Sequence, residues 1–288
     1  MTIIRVVGRT VRHLARMIVR LILASALRGK TAIPVTKTSR KGPVTKTSRK
    51  GVELAFFSVR GFVVRVSKDG DFTTEYMRLR QSFSEFVPSA EILALSDDRN
   101  AILEEFIIGD TLAAFDRDSS AYREALTAVT SGHLLLVQAL SVEADSYSLA
   151  SIPSVDSTIA PFREHQARVL AYLGEGPLVP SHGDLHSGNL LVRAGGVKTI
   201  DFGSLAMRPA WFDAVRLVQF ELCRVEASPT VTSLVEQYCL DVLSVSVGWN
   251  EPPADWRRLV SLAYIAWRAV ENPRKVKKDW ADLQPWAQ

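Results

Sequence analysis

The sequence predicts an α+β protein in which a small strand-rich front half precedes a larger helical half. Between residues 52 and 108, short runs rich in β-branched and aromatic residues alternate with turn residues, as strands do. After residue 109, longer segments repeat their apolar residues at helical spacing. A chain of 288 residues, 47% hydrophobic and 23% charged, can bury a full core, so we expect one or two globular domains.

The first 30 residues predict a basic amphipathic helix. One apolar stripe recurs at alternating spacings of three and four residues, and arginines line a neighbouring face. The stripe consists of Ile4, Val7, Val11, Leu14, Ile18 and Leu21. Such a helix can lie on an anionic membrane surface, pack on the body of the protein, or form part of an organelle transit peptide. The sequence leaves these three alternatives open.

Charge divides the chain into a basic arm and an acidic body. Residues 1–51 hold thirteen Lys and Arg and no Asp or Glu, whereas the remainder holds 22 basic and 31 acidic residues. We therefore expect no nucleic-acid partner and assign any contact with an anionic membrane surface to residues 1–30. The apolar stretch at 14–27 is short and interrupted by arginines, so it does not predict a membrane span. We expect a cytoplasmic protein, with peripheral association at the inner face of a membrane as an alternative.

A direct repeat separates this arm from the body. Residues 34–42 and 43–51 both read PVTKTSRKG, and a pair of copies this short and polar predicts a linker rather than a solenoid. The predicted division of the chain is a basic helix at 1–30, a repeat-containing linker at 31–51, a strand-rich lobe at 52–108 and a helical lobe at 109–288.

The elements of the body follow in order. Two strands at 53–59 and 62–67 flank a tight turn, and a helix at 71–83 comes next, with Asp71 as its candidate cap. The apolar run at 101–108 predicts a further strand. Helical periodicity then predicts five helices, at 119–142, 158–174, 210–224, 229–245 and 254–271.

The segment most informative about chemistry is 181–204, which reads SHGDLHSGNLLVRAGGVKTIDFGS. Its two apolar runs predict a β-hairpin around a three-residue turn centred on Gly195. Asn189 and Asp201 then face each other across the open end, with Cβ atoms about 5 Å apart. An amide oxygen beside a carboxylate suits Mg²⁺, a hard cation that prefers oxygen ligands. We therefore predict a metal site at Asn189 and Asp201.

Asp184 lies five residues before Asn189, at the mouth of the same predicted site. Phosphoryl transfer needs metal ions that neutralise the phosphate oxygens, and a carboxylate that orients the attacking hydroxyl and accepts its proton. Asp184 is the candidate base, and its alternative role is that of a turn or cap residue. The spacing of these three residues thus favours phosphoryl transfer to a hydroxyl group.

The motif HGDLHSGNLL followed by IDFG resembles the catalytic and metal-binding loops of the aminoglycoside phosphotransferase and choline kinase superfamily. The resemblance implies a two-lobed protein-kinase-like fold with a small β-rich N-lobe and a larger helical C-lobe. It also implies ATP as phosphoryl donor, Asp184 as base, and Mg²⁺ held by Asn189 and Asp201. Protein kinases have Arg immediately before the base, where this chain has Gly183, so the resemblance favours a small-molecule kinase.

The same resemblance implies a nucleotide site in the strand-rich lobe. Arg65 stands where these folds place a phosphate-binding Lys, with Lys68 as the alternative cation and Glu75 as the helix acid that holds it. The strand that follows resembles the hinge, so backbone groups of Glu105 and Ile107 would contact the adenine. The sequence has no GxGxxG loop before Val52, and Arg65 with Glu75 also fits an ordinary surface ion pair.

Two histidines flank the candidate base, and we expect His182 and His186 to support the loop through hydrogen bonds to backbone groups. Their spacing also fits a zinc-binding pair, but such a pair needs a helix, and the glycines nearby favour a loop. Asp213 follows the second loop and either caps the next helix or braces the catalytic loop.

The sequence leaves the acceptor open. Residues after 204 hold ten acidic and ten basic side chains, a balance that gives no support to a polycationic acceptor. We expect a phosphotransferase with an alcohol group as acceptor, on a small molecule or a sugar. Sugar kinases of bacterial surface lipopolysaccharide have a similar loop, so a glycolipid sugar at a membrane surface is one alternative. A catalytically silent, kinase-like nucleotide-binding module is another, favoured by the missing Gly-rich loop and by Arg65.

Overall fold

A computed structural model describes residues 45–47, 53–57, 62–66, 72–95, 101–105, 107–142, 144–151, 160–223 and 228–288. These residues form two compact units. The first contains the described residues up to Arg78 together with Ala90–Gly109, and the second contains Leu79–Ser89 and the described residues from Asp110 onward. The predicted basic helix at 1–30 lies outside the described residues, so its contact with a membrane stays a prediction.

The first unit is built on an antiparallel sheet. Its strands are β1 (Thr45–Thr47), β2 (Glu53–Phe57), β3 (Phe62–Val66), β4 (Ile92–Leu95) and β5 (Ala101–Glu105). They lie in the order β1-β2-β3-β5-β4, and β1 falls inside the second copy of the sequence repeat. Phe57 pairs with Phe62 across the β2–β3 turn, and Val66 pairs with Ala101 on β5. The two predicted strands before residue 67 are therefore present, each slightly shorter than expected.

Helix α1 (Thr74–Phe86) runs from the first unit into the second. The side-chain oxygen of Thr73 accepts a hydrogen bond from the N–H of Tyr76 at 3.1 Å, the geometry of an N-terminal cap. Thr73 thus takes the capping role predicted for Asp71, and the helix begins and ends three residues later than predicted. Its later part is apolar enough to bury Leu79 and Phe83.

The second unit is dominated by helices. They are α2 (Ser120–Leu140), α3 (Ala160–Leu173), α4 (Phe212–Glu221), α5 (Pro229–Val247), α6 (Trp256–Glu271) and α7 (Val276–Leu283). Helices α2 to α6 lie within a few residues of their predicted positions, because each carries a long apolar stripe. Helix α7, which spans two turns, was not predicted. None of the described helices is long and apolar enough to cross a membrane.

Short strands complete the second unit. They are β6 (Asp110–Thr111), β7 (Ser146–Ser148), β8 (Glu175–Ser181), β9 (Leu190–Arg193), β10 (Gly196–Thr199) and β11 (Ala206–Pro209). They form two antiparallel three-stranded sheets, ordered β10-β9-β6 and β11-β8-β7. The pairs β8–β11 and β9–β10 matter most here, because the chain between β8 and β11 contains both predicted site loops.

Helix α4 lies in the core of the second unit. Most of its apolar side chains are fully buried, together with the tryptophan just before it. These residues are Trp211, Phe212, Val215, Leu217 and Val218. Trp211 donates its indole N–H to the hydroxyl of Tyr147 at 2.7 Å, and that hydroxyl donates to the carbonyl of Leu173 at 3.0 Å. A strand-rich unit and a larger helical unit confirm the predicted α+β class.

One close helix contact gives a test of the fold. A Cβ added to Gly132 on α2 would lie 2.5 Å from the carbonyl oxygen of Phe86 and 3.2 Å from the Cα of Val87. We predict that Gly132→Ala destabilises the protein by roughly 1–2 kcal/mol, because overpacking against backbone outweighs the better helix propensity of Ala. The melting temperature should fall by about 3–6 °C. The exposed neighbour Ser131 provides the control Ser131→Ala, and a Gly132→Ala protein that melts with this control would contradict the packing described.

Candidate active site

The site lies where strands β8 and β9 bring two loops side by side. The loop at 182–189 leaves β8 and enters β9, and the loop at 200–205 leaves β10 and enters β11. Strand β11 pairs with β8 through Ala206 and Ser181, so both loops return to the same pair of strands. These pairings hold the HGDLHSGN and IDFG segments against each other.

A buried carboxylate braces the first loop. Asp213, in the first turn of α4, is fully buried and accepts hydrogen bonds from the backbone N–H groups of His182 at 2.7 Å and Gly183 at 2.8 Å. Gly183 has a φ of 76°, and a Cβ there would lie 2.4 Å from Arg208 Nη1 and 2.5 Å from the Ser204 carbonyl oxygen. This crowding explains why glycine stands before the candidate base. Of the two roles left open for Asp213, the structure supports bracing of the loop.

The ring of His182 joins the two loops. Its Nδ1 accepts a hydrogen bond from the N–H of Asp184 at 3.3 Å, so Nε2 carries the hydrogen and donates to the carbonyl oxygen of Ile200 at 2.8 Å. The ring is fully buried, with its centroid 4.6 Å from that of Phe202 and 6.1 Å from that of Phe83. His182 therefore contacts backbone groups next to both candidate site residues, Asp184 and Asp201.

The pKa of His182 reflects both its burial and the nearby acids of the site. Burial lowers the pKa of His182, while the charges of Asp213, Asp184 and Asp201 and the hydrogen bond to Ile200 raise it. The net effect keeps this pKa below its ordinary value, so the imidazole is neutral at pH 7. A neutral ring is consistent with one nitrogen that accepts a hydrogen bond and one that donates.

The carboxylate of Asp184 is held on one oxygen. Both Nε and Nη2 of Arg216 donate to Oδ1, with Nε at 2.9 Å, and His186 Nε2 lies 3.8 Å from the same oxygen. Burial by itself raises the pKa of Asp184, but the interactions with His186 and Arg216 outweigh it and hold the pKa well below its ordinary value. The side chain is nevertheless 37% exposed, so a deprotonated carboxylate faces solvent.

Asn189 connects Asp184 to the second loop. The side-chain amide nitrogen of Asn189 donates to the backbone carbonyl oxygen of Asp184 at 2.8 Å. The backbone carbonyl oxygen of Asn189 accepts from the backbone N–H of Ile200 at 2.9 Å. Because the Asp184 carbonyl can only accept, the amide must present nitrogen to it. The carboxamide oxygen of Asn189 is then the atom that can face a cation.

The hairpin between the two loops differs by one residue from its prediction. Strand β9 pairs Arg193 with Gly196, so the loop has two residues rather than the three predicted around Gly195. Asn189 therefore lies opposite Ile200, with Asp201 one position further along. The predicted register was wrong because the Ala-Gly-Gly sequence accommodates either loop length.

Asp201 has an unusual backbone. Its φ of 62° lies in the left-handed region, where a residue with a Cβ is strained by about 1–3 kcal/mol. The following residue, Phe202, is fully buried and packs edge-on against Phe83 with ring centroids 5.4 Å apart. The buried ring anchors the chain on one side of Asp201, whose own side chain is exposed. Strain retained at a candidate metal ligand is typical of functional sites.

His186 and His182 do not share a set of partners. The Nδ1 atom of His186 accepts a hydrogen bond from the N–H of Gly188 at 3.0 Å, and the ring stacks on Phe220 at a centroid distance of 3.9 Å. Each histidine thus binds backbone within or next to its own loop. Within the described part of the chain, no group of three or more His, Cys, Asp and Glu side chains is arranged to hold a metal ion.

A second buried acid supports the far end of the first loop. Glu221, at the end of α4, accepts hydrogen bonds from the N–H of Ser187 at 2.9 Å, from Arg117 Nη2 at 2.9 Å, and from the hydroxyl of Tyr122. Burial and the charge of Glu221 raise the pKa of Tyr122, which keeps the hydroxyl protonated as a donor. The loop is therefore fixed at its start and at its end by acids on one helix.

The residues predicted for the nucleotide lie in the first unit. Arg65 is on β3, opposite Ile102 on β5, and Lys68 lies outside the described residues. The carboxylate of Glu75 accepts two hydrogen bonds from Arg78, at 3.0 and 3.1 Å, at an exposed position. A pairing of Glu75 with Arg65 stays a prediction.

The predicted hinge follows strand β5. The N–H of Glu105 donates to the carbonyl oxygen of Glu91 at 2.8 Å, and Ile107 is buried two residues later. This N–H is therefore already used within the sheet. Contact of Glu105 and Ile107 with an adenine stays a prediction.

Three supporting residues on α4 were not predicted, namely Arg216, Gln219 and Glu221. Asp213, Arg216 and Gln219 recur every third position on a helix whose other residues, apart from Glu221, are apolar. A polar stripe on a buried helix indicates specific hydrogen-bond partners, because unpaired polar groups in a core are strongly destabilising. This periodicity was the available signal for Arg216 and Gln219.

The strand-rich unit, the helical unit and the paired loops define a phosphotransferase of the kinase-like fold with a hydroxyl group as acceptor. The chain belongs to the APH family, the phosphotransferase enzyme family, whose sequence model matches residues 60–259. This membership confirms the resemblance stated from the motif and the predicted enzyme class. No curated protein matches the sequence significantly.

Solved structures share the fold at low sequence identity. The GDP complex of wild-type aminoglycoside 2′-phosphotransferase-IIIa matches with a TM-score of 0.53 and 12% identity, over 94% of this chain and 98% of that chain. A thermostable mutant of aminoglycoside phosphotransferase APH(4)-Ia, in ternary complex with ADP and hygromycin B, gives 0.56 and 12% over 86% and 93%. Macrolide 2′-phosphotransferase MphH from Brachybacterium faecium gives 0.50 and 16% over 92% and 98%. These matches confirm the kinase-like fold.

A buried histidine beside the site gives a pH prediction. His133 on α2 is fully buried, contacts the Tyr238 hydroxyl at 2.8 Å and lies 3.7 Å from Asp213. Burial lowers the pKa of His133, and a proton on His182 would lower it further, although the charge of Asp213 opposes this shift. Below about pH 6.5 the unfolded chain binds a proton at this position that the folded chain does not. Stability should therefore fall as the pH drops from 7 through 6.5 to 5.5.

His133 contributes at most about 1.4 kcal/mol per pH unit to this loss of folding free energy. Melting curves between pH 7.5 and 5.5 should show a shallower decline for His133→Asn, whose amide keeps a polar group near Nδ1, than for the unmodified protein. Equal slopes for the two proteins would contradict a neutral buried His133.

Proposed function

We propose that this protein transfers the γ-phosphoryl group of ATP to a hydroxyl group of an uncharged small molecule or sugar. Asp184 acts as the base, and Asn189 and Asp201 hold Mg²⁺. The observation that carries the proposal is the hydrogen bond from the Asn189 carboxamide to the Asp184 carbonyl, next to the backbone pairing of Asn189 with Ile200. These two contacts tie the proposed base and metal ligands into one unit.

The residues present fit a magnesium ion. The Asn189 amide gives its nitrogen to the Asp184 carbonyl, which leaves its oxygen as the candidate ligand. Asp201 offers a carboxylate from a strained backbone position, one residue beyond Ile200, which lies opposite Asn189. Oxygen donors of this kind suit Mg²⁺, which usually takes one or two carboxylates and keeps several waters. Bound there, the ion would neutralise charge on the phosphate oxygens.

The carboxylate of Asp184 suits the role of base. Because Arg216 and His186 hold its pKa low, Asp184 is ionised and can accept a hydrogen bond from an acceptor hydroxyl. In the proposed step the hydroxyl oxygen forms a bond to the γ-phosphorus, the bond to the leaving diphosphate oxygen breaks, and the hydroxyl proton passes to Asp184. Orientation of the hydroxyl is the larger part of this contribution.

The acids after residue 204 support an uncharged acceptor. Five of the ten are ion-paired with arginine within the second unit, which weakens their attraction for a polycation. Eight of the ten accept hydrogen bonds there. They are Asp213, Glu221, Glu236, Asp241, Asp255, Glu271, Asp279 and Asp282. The base itself is paired with Arg216. Its surroundings in the described chain therefore offer little net negative charge to an aminoglycoside.

The membrane alternative has no support from the described chain. It rests on residues 1–30, which lie outside the described residues. An acceptor in solution is the simpler proposal.

Replacing the proposed base and metal ligand should separate chemistry from binding. Asp184→Asn should lower kcat by about 10²- to 10⁴-fold with little change in the affinity for MgATP, because the amide cannot accept the proton. Asp201→Asn should abolish turnover. It should also reduce, by about tenfold or more, the factor by which Mg²⁺ raises the affinity for ATP. Titration calorimetry with and without Mg²⁺, together with ADP release, measures both effects.

The exposed Asp118 supplies the matched control Asp118→Asn, which should behave as the unmodified protein. Full turnover by Asp184→Asn would exclude this residue as the base. If the unmodified protein binds ATP in a Mg²⁺-dependent way but phosphorylates none of the acceptors tested, a silent nucleotide-binding module is favoured instead.

The charge preference can be tested with paired acceptors. We predict that neutral sugars are phosphorylated with kcat/KM at least about tenfold above their amino-substituted counterparts, because Asp184 is already paired with Arg216 and offers little further attraction to the added cation. The measurement is ADP release with MgATP, comparing each sugar with its amino derivative and including kanamycin as a polycation. Faster turnover of kanamycin than of every neutral sugar would refute an uncharged acceptor.

A further inference from the structure

Arg216 occupies a special position relative to the proposed base. It lies on α4, one turn after Asp213, and its side chain is only 13% exposed. Both Nε and Nη2 donate to the same oxygen, Oδ1 of Asp184. This single-oxygen contact differs from the usual bidentate arrangement, in which arginine takes one hydrogen bond to each carboxylate oxygen. Oδ2 is not a partner of Arg216.

The guanidinium is itself held from behind. Its third nitrogen, Nη1, donates to Gln219 Oε1 at 2.6 Å, and the hydroxyl of Tyr264 reaches the same oxygen at 3.4 Å. The amide nitrogen of Gln219 then donates to Asp279 Oδ1 at 3.1 Å and to Asp282 Oδ2 at 3.2 Å. Helix α7, which carries both of these acids, therefore fixes the orientation of Gln219 and, through it, that of Arg216.

The same network returns to the second loop. Asp279 accepts a hydrogen bond from Arg268 Nε at 3.1 Å, and Arg268 also contacts Glu271 at 3.3 Å. Glu271 accepts from Arg208 Nε at 2.6 Å, and Arg208 Nη1 donates to the carbonyl oxygen of Ser204 at 2.6 Å. A continuous set of hydrogen bonds thus links the base to the loop that follows Asp201, by way of α6 and α7.

We propose that Arg216 is a positioning residue that fixes the Asp184 carboxylate through Oδ1 and so presents Oδ2 to the acceptor hydroxyl, with Gln219 and helix α7 setting the place of Arg216. The inference rests on the proposed function, in which Asp184 is the base. A carboxylate that rotates freely would meet the hydroxyl in several orientations. Misplacement of a catalytic group by about 1 Å can lower a rate by about 100-fold. Arg216 removes that freedom without occupying the reacting oxygen.

A structural role is the competing explanation, since a partly buried ion pair can stabilise the fold without affecting the reaction. The two explanations differ in what they predict when Asp184 is replaced. If Arg216 acts through the carboxylate, its removal should have no further effect on turnover once the carboxylate is absent. If Arg216 only supports the fold, its removal should cost the same factor in both backgrounds.

The experiment is a double-mutant cycle on kcat with Arg216→Met, Asp184→Asn and the combined variant, in the full chain with MgATP and a working acceptor. We expect Arg216→Met to lower kcat by about 10- to 100-fold, with the KM for ATP within about twofold. In the Asp184→Asn background the same substitution should change kcat by less than about twofold. Arg216→Lys should recover part of the loss, because an ammonium can still donate to Oδ1 but lacks the planar fork.

The control is Arg168→Met, which removes an arginine–carboxylate pair with Asp255. The Arg168 side chain is 51% exposed and lies on α3, outside the network that holds Asp184. It should leave kcat unchanged. If Arg216→Met does not fold, as judged by its circular dichroism and melting temperature, Arg216→Lys replaces it in the cycle. The proposal is overturned if the Arg216 variant matches Arg168→Met, or if it lowers kcat equally in both backgrounds. Undiminished turnover of Asp184→Asn alone would instead overturn the proposed function.

Discussion

The candidate site depends on one buried carboxylate that binds two consecutive backbone N–H groups. Asp213 accepts from His182 and Gly183 and is shielded completely from solvent. Burial of an ionised acid is strongly unfavourable unless hydrogen bonds replace the lost water. Asp213 also sits in the first turn of α4, where the helix dipole favours negative charge. The loop must therefore adopt the conformation that supplies these donors, and that conformation places Asp184 at the surface.

Helix α4 extends this constraint along the whole loop. Asp213 holds the start of the loop, Arg216 holds the side chain of Asp184, and Glu221 holds the N–H of Ser187. The apolar residues between them, except Phe220, are fully buried, so the helix cannot shift without disturbing the core. Three contacts from one ten-residue helix leave the loop little independent freedom. Rigid elements position functional groups more accurately than loops do, and here the loop acquires its rigidity from α4.

The long helices could be predicted because each carries its own periodic apolar pattern, as in Ser120–Leu140 and Trp256–Glu271. Strands of two to four residues, such as Asp110–Thr111, carry too few residues to show a period and exist only because distant partners pair with them. Helix Val276–Leu283 has the same difficulty, since its place depends on contacts of Asp279. The family, and Asp184, Asn189 and Asp201 as candidate site residues, could be predicted from a local sequence motif, because such a motif can be recognised without knowledge of tertiary contacts.

The contacts of Arg216 and Gln219 could not be predicted, because they join positions far apart in the chain. Asp184 and Arg216 are 32 residues apart, and a count of charges treats them as one acid and one base among many. In the structure the two neutralise each other, as do most charges of the network that reaches α7. The electrostatic environment of an acceptor is therefore determined by which charges remain unpaired, and the net charge of the chain says little about this environment. Under the proposed function, a site that uses its acids internally gains a fixed geometry for the base and loses attraction for cations. The proposed positioning by Arg216 and the proposed acceptor preference then follow from the same set of ion pairs.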